Sequence, residues 1–570
     1  MYIAVVPNRS SPPAVLLRES YREDGKVKNR TLANLSHLPK DQIDSMRRVL
    51  KGEKLVPAEE AFRIERSLPH GHVHAVLQMI RRLKVDQLIA TKGSRERDLV
   101  LAMIVQRVIC PSSKLGTTRL WHSTSLAECL GVADANHDDL YAAMDWLLER
   151  QNRIENKLAQ KHLRDDELVL YDISSSYYEG RTCSLAQYGH DRDRKKDRPI
   201  IVYGLLTDGR GRPVSVDVYA GNTADPTTVP KQVQKLRKRF GLERVVLVGD
   251  RGMLTDAQIE KIKDVPDMGW LSALRSSSIR ELLQQGHLQR SLFDKMNLAE
   301  IRSPEFPGER LIACFNPLLA EERQRKRDEL LERTERQLRR ISGEVQRRRK
   351  KLLTKTEIAL KVGRIINRYK MAKHFELTID DNLFEWERQE DSIRNEMALD
   401  GIYVIRTSES KRDLSSANAV RGYKQLADVE QAFRSLKSSE LMIRPIHHRA
   451  DNRVRAHIFL CMLAYYVQWH LKRVWASLLF IEEDLPKARQ RRDPVKRAEP
   501  TSSAQKKKKE LKTSNGEPVH SFRTLLSELA TYCRHECVVG SEPSISRFQQ
   551  VNEPTPLHAK AFELVARSQL

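Results

Sequence analysis

One stretch, YKQLADVEQAFRSLK, carries three side chains at a spacing that suits chemistry. Tyr423, Glu430 and Lys437 stand seven residues apart, twice over. Seven residues are almost two helical turns, so on one continuous helix the three drift only about 20° per step and share a face. Polar residues at this spacing also describe an ordinary solvated face with weak ion pairing. The stripe therefore has to be weighed with the other carboxylates of the chain.

Two further acids end apolar strand-like runs. Asp172 closes LVLYD, and Asp250 closes VVLVGD before Arg251-Gly252, where the chain must turn. A carboxylate at a strand end is held rigidly at one edge of a sheet. Two or three such oxygens suit a hard divalent cation such as Mg²⁺, whose remaining positions go to water and phosphate. Glu430 supplies a third ligand from a helix. Taken singly, each strand-end Asp is equally a turn or cap residue.

The elements that must position these acids follow from periodicity. Residues 1–60 read as an N-terminal β-hairpin module, with a turn at Asp24-Gly25. Residues 61–165 read as helical and could bind DNA or equally serve as packing, with no clear helix-turn-helix. Residues 166–275 switch to strands (LVLYDISS, IVYGLLT, PVSVDVYAG, RVVLVGD, WLSALR) around one helix, which indicates a mixed α/β layer. Residues 276–400 contain a charged helix with Leu331, Leu338, Val345 and Leu352 at strict sevens, a narrow seam suited to coiling. Residues 401–475 return to a strand, GIYVIRT, and then the Tyr423 helix. The 486–518 stretch is basic and poor in apolar residues, so 476–518 reads as a disordered linker before a C-terminal segment, 519–570.

Composition points to the partner. Lys and Arg number 100 against 76 Asp and Glu, a net charge of +24. Such an excess favours a polyanion, nucleic acid before membrane. The N-terminus shows no secretory pattern, and the apolar run HIFLCMLAYYVQWHL is too short to span a bilayer comfortably, so it reads as a buried helix. Seven scattered cysteines suggest a reducing cytosol. Cys533, His535 and Cys537 lack a second ligand pair and read as structural. G-x-S-x-G, H-E-x-x-H and G-x-x-x-x-G-K-[ST] are absent. Ser174 to Ser176 with His190 show no orienting acid, and His447-His448 could ligate a metal but reads better as a surface turn or a phosphate neighbourhood.

The chain resembles the DDE transposases of bacterial insertion sequences, within the insertion sequence four superfamily and closest to its sixteen-thirty-four branch. The superfamily signature Y-x2-R-x3-E-x6-K falls on Tyr423, Leu426, Glu430 and Lys437, with Leu426 in place of the Arg. YDISSSYYEG, YGHDRDRKKDRP, VYAGNTADPTT, LVGDRGM and ESYREDGKVKNRTL match as well. The resemblance implies a multidomain α/β protein. Its RNase H-like catalytic core would be interrupted by an insertion between Asp250 and Glu430, which are 180 residues apart. It implies that Asp172, Asp250 and Glu430 are catalytic and hold two Mg²⁺, with Mn²⁺ able to substitute. Tyr423 and Lys437 would touch the DNA backbone, with Arg434 and Arg444 as further phosphate contacts. Val429, Phe433 and Leu436 would anchor the helix in the core.

The implied activity is cut-and-paste transposition in the bacterial cytoplasm, at the nucleoid. A homodimer or higher oligomer would act on terminal inverted repeats and target DNA. An RNase H-like nuclease without strand transfer and a non-catalytic DNA-binding descendant are the rivals.

Overall fold

The computed structural model describes residues 1–9, 11–53, 62–195, 197–294, 296–350, 352–539 and 546–568. Residues 54–60 of the expected N-terminal module, Lys196 of the HDRDRKK stretch, and 540–545 with 569–570 of the C-terminal segment lie outside these. Strands are numbered in chain order: β1 Tyr2–Val6, β2 Ala14–Glu23, β3 Lys26–Asn34, β4 Arg63–Pro69, β5 Leu168–Tyr177, β6 Ile200–Asp208, β7 Pro213–Ala220 and β8 Val245–Val248. There follow β9 Met268–Ala273, β10 Leu298–Ile301, β11 Arg310–Phe315, β12 Phe375–Asp380, β13 Leu383–Arg388, β14 Ile402–Thr407, β15 Cys533–Val539 and β16 Ser546–Val551.

The chain divides into two compact units. One comprises Met1–Leu68 with Cys533–Asn552. It holds a β1-β2-β3 sheet and a second sheet in the order β16-β15-β4. Asp24 and Gly25 both have positive φ, 50° and 75°, the geometry a two-residue hairpin turn demands, and Glu23 pairs with Lys26 across it. The Cys533, His535 and Cys537 trio lies along β15, where His535 Nδ1 is 2.9 Å from Ser67 Oγ.

The other unit comprises Pro69–Tyr532 with Glu553–Leu570. Its centre is an eight-stranded sheet in the order β10-β11-β14-β9-β8-β5-β6-β7. β5, β8 and β9 run parallel, and the other neighbours are antiparallel. The strands of the 166–275 stretch all join this sheet. Near-continuous apolar sequence in β8 suits a strand buried on both faces, and all four of its residues are buried. The helix Asp451–Val474, which contains the longest apolar run, is buried along most of its length. Among the described residues no single helix is long and apolar enough to cross a membrane.

Three expectations need correction. The 276–400 stretch is more than an insertion, because β10 and β11 within it join the central sheet. Its remainder builds a separate core in which Leu331, Leu338 and Val345 of the helix Pro317–Arg347 pack with the helix Lys355–Tyr369 and the β12–β13 hairpin. The heptad seam is thus used within the chain, and Leu352 falls beyond the helix and is exposed.

The 486–518 stretch is ordered despite its composition, with helices Leu485–Arg491 and Ser502–Glu510 and a buried Val495. Some of its cations have specific partners: Arg489 pairs with Asp428, and Lys507 Nζ donates to the carbonyls of Ala476 and Ile481.

Tyr423 does not share a helix with Glu430 and Lys437. The first helix is Ser416–Lys424 and the second is Leu426–Lys437. At the break, the Gln425 N–H donates to both Arg421 O and Gly422 O, tightening the last turn.

Candidate active site

The register of the sheet brings the two aspartates together. Leu170 of β5 pairs with Val248 of β8 in parallel, and Asp172 and Asp250 each follow two residues later. Asp172 does not end its strand as its sequence suggests: β5 continues to Tyr177 beside β6, and Asp172 lies in mid-strand just past the last β8 pairing. It is partly buried, and its Oδ1 accepts from Ile173 N at 2.8 Å. Asp250 is exposed just past the strand, where Oδ1 accepts from Gly252 N at 3.1 Å and Met253 N at 2.7 Å. Those bonds close the turn after the strand and fix the carboxylate.

Glu430 arrives from the helix Leu426–Lys437, which packs on β5. Val429, Ala432, Phe433 and Leu436 form its buried seam, and Phe433 meets the Tyr203 ring edge-on at 5.7 Å. With that seam turned inward, Glu430 stays exposed.

Electrostatics shows that the three acids share one neighbourhood. Burial is the main cause that lifts the Asp172 carboxyl from 3.8 to about 7, with the charges of Asp250 and Glu430 adding to it. The Ile173 N–H and the Arg192 guanidinium oppose the rise. Tyr423 senses the same cluster. Burial first, then Asp250, Glu430 and Asp172, push its phenol up to about 12, and Arg251 opposes them. The helix break at Gln425 therefore leaves Tyr423 beside the carboxylates although the shared face is lost.

The cations divide differently. Lys437 is largely buried, and its Nζ lies 3.0 Å from Asp193 Oδ1. Burial lowers its pKa, with Asp193 opposing. Arg444 pairs with the same oxygen, and its Nε donates to Lys437 O at 3.2 Å. Asp193 Oδ2 accepts from Tyr177 N at 3.2 Å, which ties the group to the end of β5. Arg434 is exposed and forms no ion pair among the described residues.

Asp193 was missed as a site residue although HDRDRKK was a matching stretch. Its partner lies 244 residues away, which no local pattern announces. Arg192, which pairs with Asp225 of NTADPTT, 33 residues on, was also missed.

Among the described residues no group of three or more His, Cys, Asp and Glu is close enough to hold a metal ion as the side chains stand. The donor set nevertheless fits a hard cation: three carboxylates, one of them held near neutrality by burial and by the other two.

The family model described as "Transposase DDE domain" matches residues 165–467, more than half of the chain and all three acids. The chain belongs to the DDE transposases. Residues 3–60 of the transposase match a second model, "IS1634 family transposase, N-terminal domain". No curated protein matches it. Among solved structures, the transposase is similar to a piggyBac transposase synaptic complex with hairpin DNA, determined by cryo-EM. That match has 9% identity and a TM-score of 0.35, covering 81% of this chain and 76% of the other. DDE transposases act on DNA and use divalent metal ions.

Proposed function

We propose that this transposase cuts the ends of its insertion sequence and joins them to target DNA at a site built on Asp172, Asp250 and Glu430. The observation that carries the reading is the mutual influence of these carboxylates, set by the β5–β8 register and the helix packed on β5. The three would hold two Mg²⁺, with Mn²⁺ as a substitute. When bound, such ions supply the Lewis acidity that activates an attacking oxygen and stabilises the leaving one.

The remaining work falls to the chain. Without ions, Asp172 keeps a proton near neutrality, and ion binding must displace it. The Tyr423 hydroxyl remains protonated at any working pH and donates toward a phosphate oxygen. Arg434, exposed on the Glu430 helix, supplies a further phosphate contact. Lys437 and Arg444 act first by gripping Asp193 and holding it against the end of β5, with phosphate contact a second role. No nucleophilic side chain is needed, because water and then the freed 3′-hydroxyl attack. The active assembly is a homodimer or higher oligomer on the terminal repeats, in the bacterial cytoplasm.

The test is incubation with a duplex carrying the element's terminal repeat, in Mg²⁺ or EDTA, beside Glu430→Gln. End cleavage and joined product only in wild type with Mg²⁺ support the proposal. Cleavage without joining leaves a nuclease. Salt-sensitive binding with no cleavage leaves a DNA-binding protein.

A further inference from the structure

The helix Pro317–Arg347 has a second face that its hydrophobic seam does not use. Lys326, Arg333, Arg340 and Arg347 recur every seven residues along it, and Arg336 lies in the same band. All five are exposed. Among the described residues none of them forms an ion pair, and the only side-chain bond given to any of them is from Arg347 Nε to Gly343 O at 2.8 Å. Neighbouring cations are matched: Arg339 with Glu335, Arg348 and Lys361 with Glu344, and Arg327 with Asp400. Among the described residues, exposed glutamates without an ion pair lie within a turn of its first half, Glu322 beside Lys326, Glu329 beside Lys326 and Arg333, and Glu332 beside Arg336, whereas the one carboxylate within a turn of Arg340 and Arg347, Glu344, is already doubly paired. Leu331, Leu338, Ile341 and Val345 hold the opposite face against the module's own core. The band is therefore anchored, carries five cations against three unpaired glutamates, and is least compensated at Arg340 and Arg347.

Its origin lies beyond the same end of the sheet as the carboxylates. β11 is antiparallel to β14, β14 is antiparallel to β9, and β9 is parallel to β8. β11 thus points the same way as β8, and the helix leaves its carboxyl end at the sheet edge where Asp250 sits. Three strand spacings, about 14 Å, separate the two strands sideways, and the register sets Val248 level with Leu271, Thr407 and Arg310, so Pro317 starts about 16 Å farther along the strand direction than Asp250. From Lys326 to Arg347 the band runs about 32 Å. Duplex DNA offers one negative charge per roughly 1.7 Å of its axis, so a rigid row of guanidinium groups of this length has several phosphates to meet. Arginine suits the role through its bidentate fork.

We propose that the Lys326–Arg333–Arg336–Arg340–Arg347 band is a track for the phosphate backbone of the duplex DNA that flanks the cleaved bond, engaged without regard to base sequence. The inference rests on the DNA reading above.

The test compares wild type with the full-length Arg333→Gln/Arg336→Gln/Arg340→Gln/Arg347→Gln variant. Fluorescence anisotropy is read in EDTA across a NaCl series, with a terminal-repeat duplex and an unrelated duplex. A variant with four Gln at Lys506, Lys508, Lys509 and Lys512, all exposed, removes the same charge elsewhere. A third variant, with all four arginines changed to Lys, restores the charge and guards against misfolding. Four lost phosphate contacts flatten the plot of log affinity against log salt by about 3 to 4. The expected result is this loss on both duplexes for the Arg→Gln variant, with wild-type slopes for the lysine-site and Arg→Lys variants. A wild-type slope in the Arg→Gln variant overturns the track and leaves the transposase reading intact. An equal loss in the lysine-site variant overturns it too, since bulk charge would then be the cause. A wild type that binds neither duplex overturns both readings.

Discussion

Lys437 Nζ stands 3.0 Å from Asp193 Oδ1, so the lysine of the signature is tied to the loop after β5. Asp193 has a side chain only 1% exposed and also receives Arg444. Removing a buried partner strands the charges it neutralised, at a cost of about 3 kcal/mol. Asp193→Asn should lower Tm by several degrees and slow cleavage, although Asp193 itself touches no DNA. Calorimetry beside a cleavage assay checks this. An unchanged Tm would show that the pair holds nothing in place.

Neutralising Asp250 should separate activity from stability. Asp250→Asn keeps the turn, because an amide oxygen can still accept from the Gly252 and Met253 N–H groups. It removes a negative charge that raises the Asp172 carboxyl. Cleavage should fall by at least about a thousandfold, the scale on which essential transition-state electrostatics is lost. In EDTA at pH 8, Tm should rise. A fall in Tm there would contradict the electrostatic picture of the cluster.

The raised Asp172 carboxyl also sets a pH dependence. Its ordinary value is 3.8 and its folded value about 7, so between them the native state binds the extra proton. Its contribution to metal-free stability is therefore greatest at low pH, declines as pH rises through that window, and levels off above about 7. Asp172→Asn removes this slope. The stability gained by the variant over wild type should grow from pH 5 to pH 8 and reach a few kcal/mol at most. Urea unfolding in EDTA at several pH values measures it, and a gain that shrinks with pH would refute it.

Arg489 grips Asp428 with two bonds, 2.8 and 2.6 Å, two residues before Glu430. The same segment accepts Arg421 at Gln490 O and Arg492 O, and Lys424 at Val495 O. These contacts clamp both sides of the break at Gln425. Arg489→Ala should cost only about 1 kcal/mol of stability, since the pair is partly exposed. It should nevertheless raise the Mg²⁺ concentration giving half-maximal cleavage, because the helix carrying Glu430 loses its brace. A Mg²⁺ titration unchanged from wild type would remove the positioning role.

Gly211 abuts the same aspartate. It has φ +80°, and a Cβ there would lie 2.7 Å from Asp428 Cβ. Gly211→Ala should therefore destabilise the protein by about 1–3 kcal/mol, as strained backbone positions do. A stability within 0.5 kcal/mol of wild type, roughly the scatter of neutral surface changes, would rule this out.

Local pattern carried much of the architecture. The Asp24-Gly25 turn, the buried β8 run, the seam of Val429, Phe433 and Leu436, and the strand end before Asp250 were legible because each depends on residues close in sequence, whereas Asp172, which the sequence places at a strand end, lies in mid-strand. Side-chain alternation, turn chemistry and apolar periodicity are short-range properties. The tertiary structure alone decided the rest. It broke the helix at Gln425, gave Lys437 to Asp193 across 244 residues, recruited β10 and β11 into the central sheet, and ordered 486–518 against Asp428. Composition reads the basic 486–518 stretch as unfolded because it counts charges without their partners. Ion pairs and sheet order are set by which distant segments meet, and that depends on the packing of the whole chain.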